Sequence, residues 1–257
     1  MKIATWNVNS LKVRLPQILC WLQDNSIDVL VLQELKLSSE FFPVEEFENI
    51  GYQAVWNGQK TYNGVAIISR IDLHNSLLDN PFYKDKQKRI IIASINNIRI
   101  INVYCVNGEK IDSPKFQYKR EWFSALIELV KNELKDNSNL ILLGDFNIAP
   151  ADLDVYDPKT WHEKVLCSNE ERKWFKNLLN LGLYDSLREL DNTSPLYTWW
   201  DYRSNGFKRN LGMRIDHILI TKKILEHTVD FGIDINMRGM ERPSDHAPVW
   251  IKIRPMS

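Results

Sequence analysis

The sequence predicts an α/β fold in which two mixed β-sheets pack face to face and helices cover their outer faces. Strand-type patterns outnumber helix-type patterns, hairpin signals are mixed with crossover connections, and strand patterns lie near both ends of the chain. This combination is typical of two packed layers of sheet. Repeats, low-complexity tracts and linkers rich in Gly, Ser or Pro are absent from the sequence, so we expect residues 1–257 to form a single domain.

The first half of the chain supplies most of the expected strands. A strand pattern over residues 2–6 ends on Asn7, and an amphipathic helix is expected over residues 11–23. The apolar run DVLVLQ, residues 28–33, indicates a buried strand that ends on Glu34. Two further strands are expected at 52–56 and 64–70. Alternating patterns at 89–96 and 98–104 flank Asn96 and Asn97, which predicts a hairpin.

The second half begins with a long amphipathic helix, expected over residues 115–135, which leads into the stretch NLILLGDFNIAP. The unbroken apolar run at 140–143 predicts a strand that is buried on both faces. A helix over residues 170–181 should stop at Gly182. Short strands at 197–200, 214–220, 228–233 and 247–253 complete the predicted elements.

Polar side chains follow the buried strand at 140–143. Asp145 and Asn147 lie two residues apart, so in an extended chain both point to the same side. Taken alone, Gly-Asp-Phe-Asn would be an ordinary turn. The same arrangement recurs at other strand ends, with Asn7, Glu34, Tyr104, Asp216 and the pair Asp245–His246. Because α/β proteins build active sites at the carboxyl ends of strands, we interpret these groups as one site.

Composition limits the function classes. Lys plus Arg and Asp plus Glu each number 33, which argues against a protein coated in basic surface for indiscriminate nucleic-acid binding but allows a local basic face. The apolar runs are too short to cross a bilayer, and the first residues do not resemble a signal peptide. Cys20, Cys105 and Cys167 are widely spaced, which suggests free thiols. We therefore expect a cytoplasmic protein without membrane association.

Seven sequence blocks, in order along the chain, resemble the signature blocks of the exonuclease III family of abasic-site endonucleases, in the endonuclease–exonuclease–phosphatase superfamily. The blocks are WNVNSL, LVLQELK, NVYCVNGE, LLGDFNIAP, YTWWDYRSNGF, LGMRIDHIL and PSDHAPV. The segment 151–188 is similar to the bacterial branch of that family. The resemblance implies a four-layered α/β sandwich, a DNase I-like fold.

The resemblance also implies an activity: Mg²⁺-dependent hydrolysis of the phosphodiester on the 5′ side of abasic sites in double-stranded DNA. It further implies trimming of blocked 3′ ends, as a 3′-to-5′ exonuclease and as a 3′-phosphatase or phosphodiesterase. Glu34 is similar to the family's principal metal ligand, and Asp245 lies beside the metal in relatives. Asn9 stands where some relatives have an aspartate and would reach the metal through water. Mg²⁺ suits such oxygen ligands, with Mn²⁺ as a substitute.

Further roles follow from the same resemblance. Asp145 matches the residue that orients and deprotonates the attacking water, Asn147 would hold this geometry, and Asn7 would complete the polar floor of the site. Tyr104 would donate a hydrogen bond to the phosphate. In an alternative assignment an ionised Tyr104 activates the water, and the sequence leaves both assignments open.

A carboxylate–imidazole pair is implied at Asp216 and His246. The carboxylate would fix the tautomer of the imidazole, whose other nitrogen would bind a phosphate oxygen. His217 follows Asp216 directly, and successive strand residues face opposite ways. We therefore expect His217 to point away from the site.

Substrate recognition is assigned to a smaller group. Trp199 matches the aromatic residue that lines the family's pocket for a sugar without a base, and Met213 stands where some relatives carry a tryptophan in that pocket. Arg203 and Lys208 would contact phosphates, which position DNA without reading its sequence. Other basic residues, Lys119 among them, are candidates that we interpret as ordinary solvated surface.

Two other functions fit part of the pattern. The same fold could act on a phosphoinositide or another small phosphodiester, because fold does not fix function. A DNA-binding module without catalysis is the other alternative, although it predicts a broken constellation. We expect a monomer that needs no obligatory protein partner. The balance of endonuclease and exonuclease action and the number of metals stay open.

Overall fold

A computed structural model describes residues 1–256 of the chain, and its strands form two six-stranded mixed sheets and one two-stranded sheet. In spatial order, the first sheet consists of β13 (Thr228–Ile233), β14 (Val249–Ile253), β1 (Lys2–Asn7), β2 (Val29–Gln33), β4 (Val65–Ser69) and β3 (Gln53–Asn57). The second sheet consists of β5 (Leu73–Leu77), β6 (Ile90–Ile95), β7 (Ile98–Tyr104), β8 (Leu140–Asp145), β12 (Asp216–Thr221) and β9 (Leu183–Asp185). The small sheet pairs β10 (Trp199–Trp200) with β11 (Gly212–Met213).

Helices cover the outer faces of the two large sheets. They are α1 (Leu11–Asn25), α2 (Val44–Glu48), α3 (Pro114–Asp136), α4 (Pro158–Trp161), α5 (Asn169–Leu179), α6 (Ser186–Leu190) and α7 (Lys222–His227). Short 3₁₀ turns lie at Ser39–Phe41, Asp152–Asp154, Arg203–Asn205 and Ile235–Gly239. Within residues 1–256, no helix combines the length and the apolar character that a membrane crossing needs.

Three apolar clusters separate the layers. The inner faces of the two large sheets share one cluster, which is rich in Ile and Val. A second cluster fills the space between the second sheet and helices α3 and α5, and a third packs the first sheet against α1 and α2. The order helix, sheet, sheet, helix confirms the predicted four-layered α/β sandwich.

Two parallel strand pairs determine where the candidate site lies. Strand β1 pairs with β2 in parallel, and β7 pairs with β8 in parallel, whereas the other neighbours in the two large sheets are antiparallel. The carboxyl ends of β1 and β2 therefore lie at one edge of the first sheet. Asp145, at the end of β8, is paired with Tyr104 and with Asp216, the first residue of β12. The polar strand ends of the second sheet are thus neighbours as well.

Gly144 allows β8 to approach β7 closely just before the site. Its φ is +142°, and a Cβ atom built there would lie 2.0 Å from the carbonyl oxygen of Val103. No side chain can be accommodated at that distance, so the backbone contact requires glycine at this position.

The predicted elements match the observed ones to within about two residues at most ends, as is usual for element boundaries. The expectation of a helix over 170–181 was too long, because α5 ends at Leu179 and Gly182 follows with a φ of +99°. Strands β5, β9 and β11 were not predicted. Strand β5 has the sequence LHNSL and is largely exposed, so it lacks the apolar alternation that would reveal it.

Candidate active site

Asn7 joins the two large sheets at the polar edge. Its fully buried side chain donates one hydrogen bond to Glu34 Oε1 and one to Asp145 Oδ2, both at 2.9 Å. Glu34 follows β2 of the first sheet, whereas Asp145 ends β8 of the second sheet. One carboxamide therefore holds both carboxylates, and the structure brings these three predicted residues together.

Glu34 leaves the first sheet in a left-handed backbone conformation, with a φ of +55°. Lys36 has the same φ, and its ammonium lies 2.9 Å from Glu34 Oε2 and donates a 2.5 Å hydrogen bond to Asn9 Oδ1. A cation thus already contacts two of the predicted metal-site residues. Lys36 was not predicted as a site residue, although it ends the block LVLQELK, which contains Glu34.

Asp145 is fixed from two sides. Besides the bond from Asn7, Asp145 Oδ1 accepts a 2.9 Å hydrogen bond from the backbone N–H of Asn147. Asn147 has a φ of +50°; its side chain donates to the carbonyl of Cys105 at 3.0 Å and accepts from Asn107 Nδ2 at 2.9 Å. Asn147 thus orients the carboxylate through its backbone. Asn107, which was not predicted as a site residue, orients Asn147.

Asp216 and His246 form the predicted carboxylate–imidazole pair. The two Asp216 oxygens lie 2.9 and 3.1 Å from His246 Nδ1, and Thr198 Oγ1 donates a 2.6 Å hydrogen bond to Asp216 Oδ2. The other ring nitrogen, Nε2, lies 3.7 Å from Asp145 Oδ2. The ring therefore extends from one buried carboxylate toward the other.

The charges of this pair follow from its burial and neighbours. Burial opposes protonation of His246, but Asp216 and Asp145 outweigh this effect and raise its pKa from 6.5 to about 10. Burial also raises the pKa of Asp145 from 3.8 to about 7, against the opposing effect of His246. His246 is therefore an imidazolium at neutral pH, with an Nε2–H that can donate, and Asp145 is a carboxyl group that can exchange a proton near neutrality.

Tyr104 lies at the end of β7, beside the paired Asp145. Burial, reinforced by Glu34, raises the pKa of the phenol well above its ordinary value of 10. The guanidinium of Arg89 lies 4.7 Å from the ring centroid and donates to the Tyr104 carbonyl at 3.1 Å. The phenol is therefore a hydrogen-bond donor in this environment, which favours the first of the two assignments for Tyr104.

Asp245 links the metal-side residues to Trp199. It accepts a 2.9 Å hydrogen bond from Asn9 Nδ2 and a 3.0 Å bond from Trp199 Nε1. Trp199 is half-buried and pairs with Met213 across the small sheet, whereas the neighbouring Trp200 is buried. Met213 itself is fully buried. The two predicted recognition residues are therefore neighbours, and of the two only Trp199 has exposed surface at the rim of the site.

The two predicted phosphate contacts lie outside this cluster. The side chain of Arg203 is 88% exposed and forms a 3.1 Å ion pair with Asp201, and Lys208 is exposed on the same loop. Nothing in these positions orients either cation toward the buried carboxylates. Their role in DNA binding stays a prediction.

His217 points away from the site, as expected from strand periodicity. It is fully buried, with Nε2 2.8 Å from the carbonyl of Ile148 and Nδ1 3.0 Å from Arg214 Nη1. Burial and the charge of Arg214 lower its pKa from 6.5 to about 4. Arg214 in turn forms ion pairs with Asp154 and Asp185, so His217 belongs to a buried structural network.

The residues present fit a hard divalent cation. Ligand atoms of Glu34, Asp145 and His246 all lie within 4.8 Å of one another. His246 is a poor ligand because Asp216 favours its protonated form, and metal-bound imidazole must be neutral at the coordinating nitrogen. The oxygen donors of Glu34 and Asp145 are the chemistry that Mg²⁺ and Mn²⁺ prefer. Asp245 and Asn9, which are hydrogen-bonded to each other, lie outside this set of three, so their predicted part in the metal site stays a prediction.

The arrangement has the parts that hydrolysis of a phosphoester requires. A carboxyl group with a raised pKa can hold and deprotonate a water molecule, while an imidazolium and a phenol can donate to phosphate oxygens. The donors are fixed by buried partners before any substrate arrives, so they need no reorganisation when charge develops.

Comparison with known proteins agrees with this chemistry. A family model described as the Endonuclease/Exonuclease/phosphatase family matches residues 4–246. Exodeoxyribonuclease III of Haemophilus influenzae is 37% identical over 99% of this chain and 100% of its own length. The Neisseria 3′ phosphatase NExo, solved with a product DNA hairpin, is 54% identical, with a TM-score of 0.98 and 99% of each chain covered. An AP endonuclease from Archaeoglobus fulgidus is 37% identical, with a TM-score of 0.94, over 98% of this chain and 99% of that one.

Proposed function

The chain belongs to the endonuclease/exonuclease/phosphatase family, within its exodeoxyribonuclease III branch, and we propose that it is a DNA-repair nuclease. Its reactions would be incision on the 5′ side of abasic sites in duplex DNA and removal of nucleotides or phosphate from 3′ ends. All of them can break the bond between phosphorus and a 3′ oxygen, so one arrangement of groups serves each reaction. The relatives support both kinds of substrate, since one is an AP endonuclease and another a 3′ phosphatase.

One observation carries the proposal: buried Asp145, held by Asn7 and Asn147, faces Nε2 of His246 across 3.7 Å. We assign to Asp145 the orientation and deprotonation of the attacking water. His246 donates its Nε2–H to a non-bridging phosphate oxygen, and the Tyr104 phenol donates to the phosphate as well.

A divalent cation, Mg²⁺ in this proposal with Mn²⁺ as a substitute, would be held by Glu34 together with Asp145. Asp245 and Asn9, which are hydrogen-bonded to each other, would contribute through water. When bound, it supplies Lewis-acid stabilisation of negative charge on the phosphate and the leaving oxygen. Asn7 keeps the two carboxylates at a fixed separation, because it donates to both.

The rim residues account for substrate choice. The half-buried indole of Trp199, held by Asp245 and paired with Met213, offers an aromatic wall of limited size. A deoxyribose without a base is smaller than a nucleotide, and its extrusion from the duplex breaks no base pair. Arg203 and Lys208 supply sequence-independent phosphate contacts. We further propose that the protein acts as a cytoplasmic monomer, which light scattering on purified protein tests for oligomeric state.

The test uses two labelled DNA duplexes, one with a 3′-phosphate and one with an internal abasic analogue, each with Mg²⁺ and with EDTA. The wild type should release phosphate from the first and cut the second on the 5′ side of the lesion, in both cases only with the metal. Asp145→Asn should lose both activities because it lacks the base. Asp152→Asn removes a carboxylate that is 71% exposed and should match the wild type.

Hydrolysis of the 3′-phosphate alone would remove abasic-site incision from the proposal. If neither duplex reacts while a phosphoinositide is dephosphorylated, the small-phosphodiester alternative replaces it. DNA binding without turnover in saturating Mg²⁺ or Mn²⁺ would instead support the non-catalytic module.

A further inference from the structure

Lys119 lies in α3 and is fully buried, so its interpretation as solvated surface was wrong. Its ammonium donates to three oxygens. They are the carbonyl of Asn147 at 2.8 Å, the carbonyl of Asn107 at 3.1 Å, and Oε1 of Glu171, with which it forms an ion pair. All three hydrogens of the ammonium are thus used, and none faces solvent.

Glu171 is equally buried and ties a further segment to this point. Its Oε2 accepts from the N–H and the hydroxyl of Ser168, at 3.1 and 2.7 Å, and its Oε1 accepts from the N–H of Leu166 at 3.0 Å. The bonds with Ser168 belong to a capping box at the start of α5. The Lys119–Glu171 pair therefore connects α3, the start of α5 and the two loops that follow β7 and β8.

The two carbonyls on Lys119 belong to the residues that orient the proposed base. Asn147 donates its backbone N–H to Asp145, and Asn107 donates its side-chain amide to Asn147. Asn147 holds a left-handed conformation, with a φ of +50°, which Asn adopts more readily than most residues. The Lys119 ammonium holds the carbonyls of Asn147 and Asn107 on the side of the loops away from Asp145.

Stability alone is a weak reason for a charge pair at this place. Removing two charges from water costs several kcal/mol per ion, and neutral residues of similar volume often replace a buried pair without loss of stability. What a pair of apolar residues cannot supply here is a donor for the two backbone carbonyls. The cost is explained if the pair serves the geometry of the site.

We propose that Lys119 and Glu171 are positioning residues, which hold Asn107 and Asn147 so that the Asp145 carboxylate is aimed at the attacking water. They touch neither substrate nor reacting atoms and act only through the two loops. This inference rests on the proposed nuclease function, because it assigns a purpose to the orientation of Asp145.

The test variant is Lys119→Met/Glu171→Gln, which removes both charges together and so leaves no buried unpaired ion. The amide introduced at position 171 can still accept from Ser168, so the start of α5 retains a cap. The matched control is Arg120→Met/Glu170→Gln. Arg120 and Glu170 are direct chain neighbours of the pair on α3 and α5 and join the same two helices at 2.6 Å, but they are about 40% exposed and contact neither loop.

Two readouts separate positioning from general stability. In the 3′-phosphatase assay, the test variant should lose about 10- to 100-fold in kcat, as expected for a misplacement of about 1 Å, with KM changed by less than about threefold. Hydrogen exchange should rise in peptides covering residues 104–109 and 144–150, and not in the central strands β1 and β2. The control should match the wild type in both measurements.

A folded test variant with wild-type kcat and unchanged exchange in both loops overturns the inference. An equal loss of kcat in the control overturns it too, because the effect would then belong to helix–helix pairing. If the wild type hydrolyses neither DNA substrate, the proposed function fails. The exchange measurement still decides whether the pair holds the two loops.

Discussion

Replacing Asp216 by Asn should convert His246 from a permanent cation into a group that titrates near neutrality. The change removes one charge and keeps the size of the side chain, and an amide can still accept from Thr198. His246 then loses the carboxylate that lies 2.9 Å from its Nδ1. Burial, which disfavours the imidazolium, stays the same.

The expected size of the effect follows from the raised pKa of His246. The gap between about 10 and the ordinary 6.5 corresponds to about 5 kcal/mol in favour of the charged ring. The carboxylates also offset the cost of burial, so their total contribution is larger than this gap. Because Asp216 is the largest favourable contributor, its loss should return the pKa close to 6.5. At pH 8 only about 3% of the rings would then be protonated, an activity loss of about 30-fold.

The assay compares kcat/KM of Asp216→Asn and wild type from pH 6 to pH 8.5. Both proteins retain Asp145, so a ratio that changes with pH traces to the lost charge of Asp216, which acts on His246 and also on the pKa of Asp145. The ratio should rise toward one as the pH falls to 6, where the variant's imidazole is protonated again. Asp230→Asn, at an exposed carboxylate of β13, is the control. A ratio that stays constant from pH 6 to pH 8.5 would refute the reasoning, because an activity loss caused by deprotonation of His246 must change with pH.

Three further predictions concern the base, the metal and the fold. Burial raises the pKa of Asp145 to about 7, so at limiting Mg²⁺ the activity should decrease as the pH falls below 7. Raising the Mg²⁺ concentration should move this decrease to lower pH, since the cation and the proton compete for one carboxylate. A decrease whose pH does not depend on Mg²⁺ would contradict this prediction. Mg²⁺ should raise the thermal midpoint of the wild type but not of Glu34→Gln, as calorimetry can show. Gly144→Ala should lower the free energy of unfolding by about 2–4 kcal/mol in denaturant titrations, since the new Cβ meets the Val103 carbonyl at 2.0 Å. Gly239→Ala, whose Cβ would meet no atom within 4 Å, is the control, and equal losses in both would contradict the steric explanation.

The sequence was most informative where an apolar run is followed directly by polar residues. The apolar run before Asp145 and the run before Glu34 predicted both strands and the polar groups at their ends, because a strand buried on two faces leaves only its end for chemistry. The seven ordered blocks added the roles. Together they located Asn7, Glu34, Asp145, Asn147, Asp216 and His246, but not Lys36, Asn107 or Thr198, which contact members of that set.

Lys119 shows why some contacts around the site could not be predicted from the sequence. A lysine on an amphipathic helix is usually solvated, and only its partner reveals that this one is not. That partner, Glu171, lies 52 residues away in the chain, and the two carbonyls that Lys119 contacts belong to loops. The periodicity of one helix carries no information about contacts with residues so distant in the chain. The edge strands β5 and β9 were missed for a related reason, since their pairing depends on neighbours and not on their own pattern.

A site assembled from two sheets needs a fixed register between them, which apolar packing alone does not impose because the hydrophobic effect is non-directional. The buried side chains of Gln33 and Asn102 fix this register through directional hydrogen bonds. Gln33 Nε2 donates to Asn102 Oδ1 at 2.8 Å, and Asn102 Nδ2 donates to the carbonyls of Leu32 and Ala66 in the opposite sheet at 2.9 Å. Gln33 immediately precedes Glu34 in the chain. These hydrogen bonds between the sheets thus lie next to the Glu34 carboxylate. If one sheet slid over the other, Glu34 would separate from Asp145 only after these buried bonds had broken.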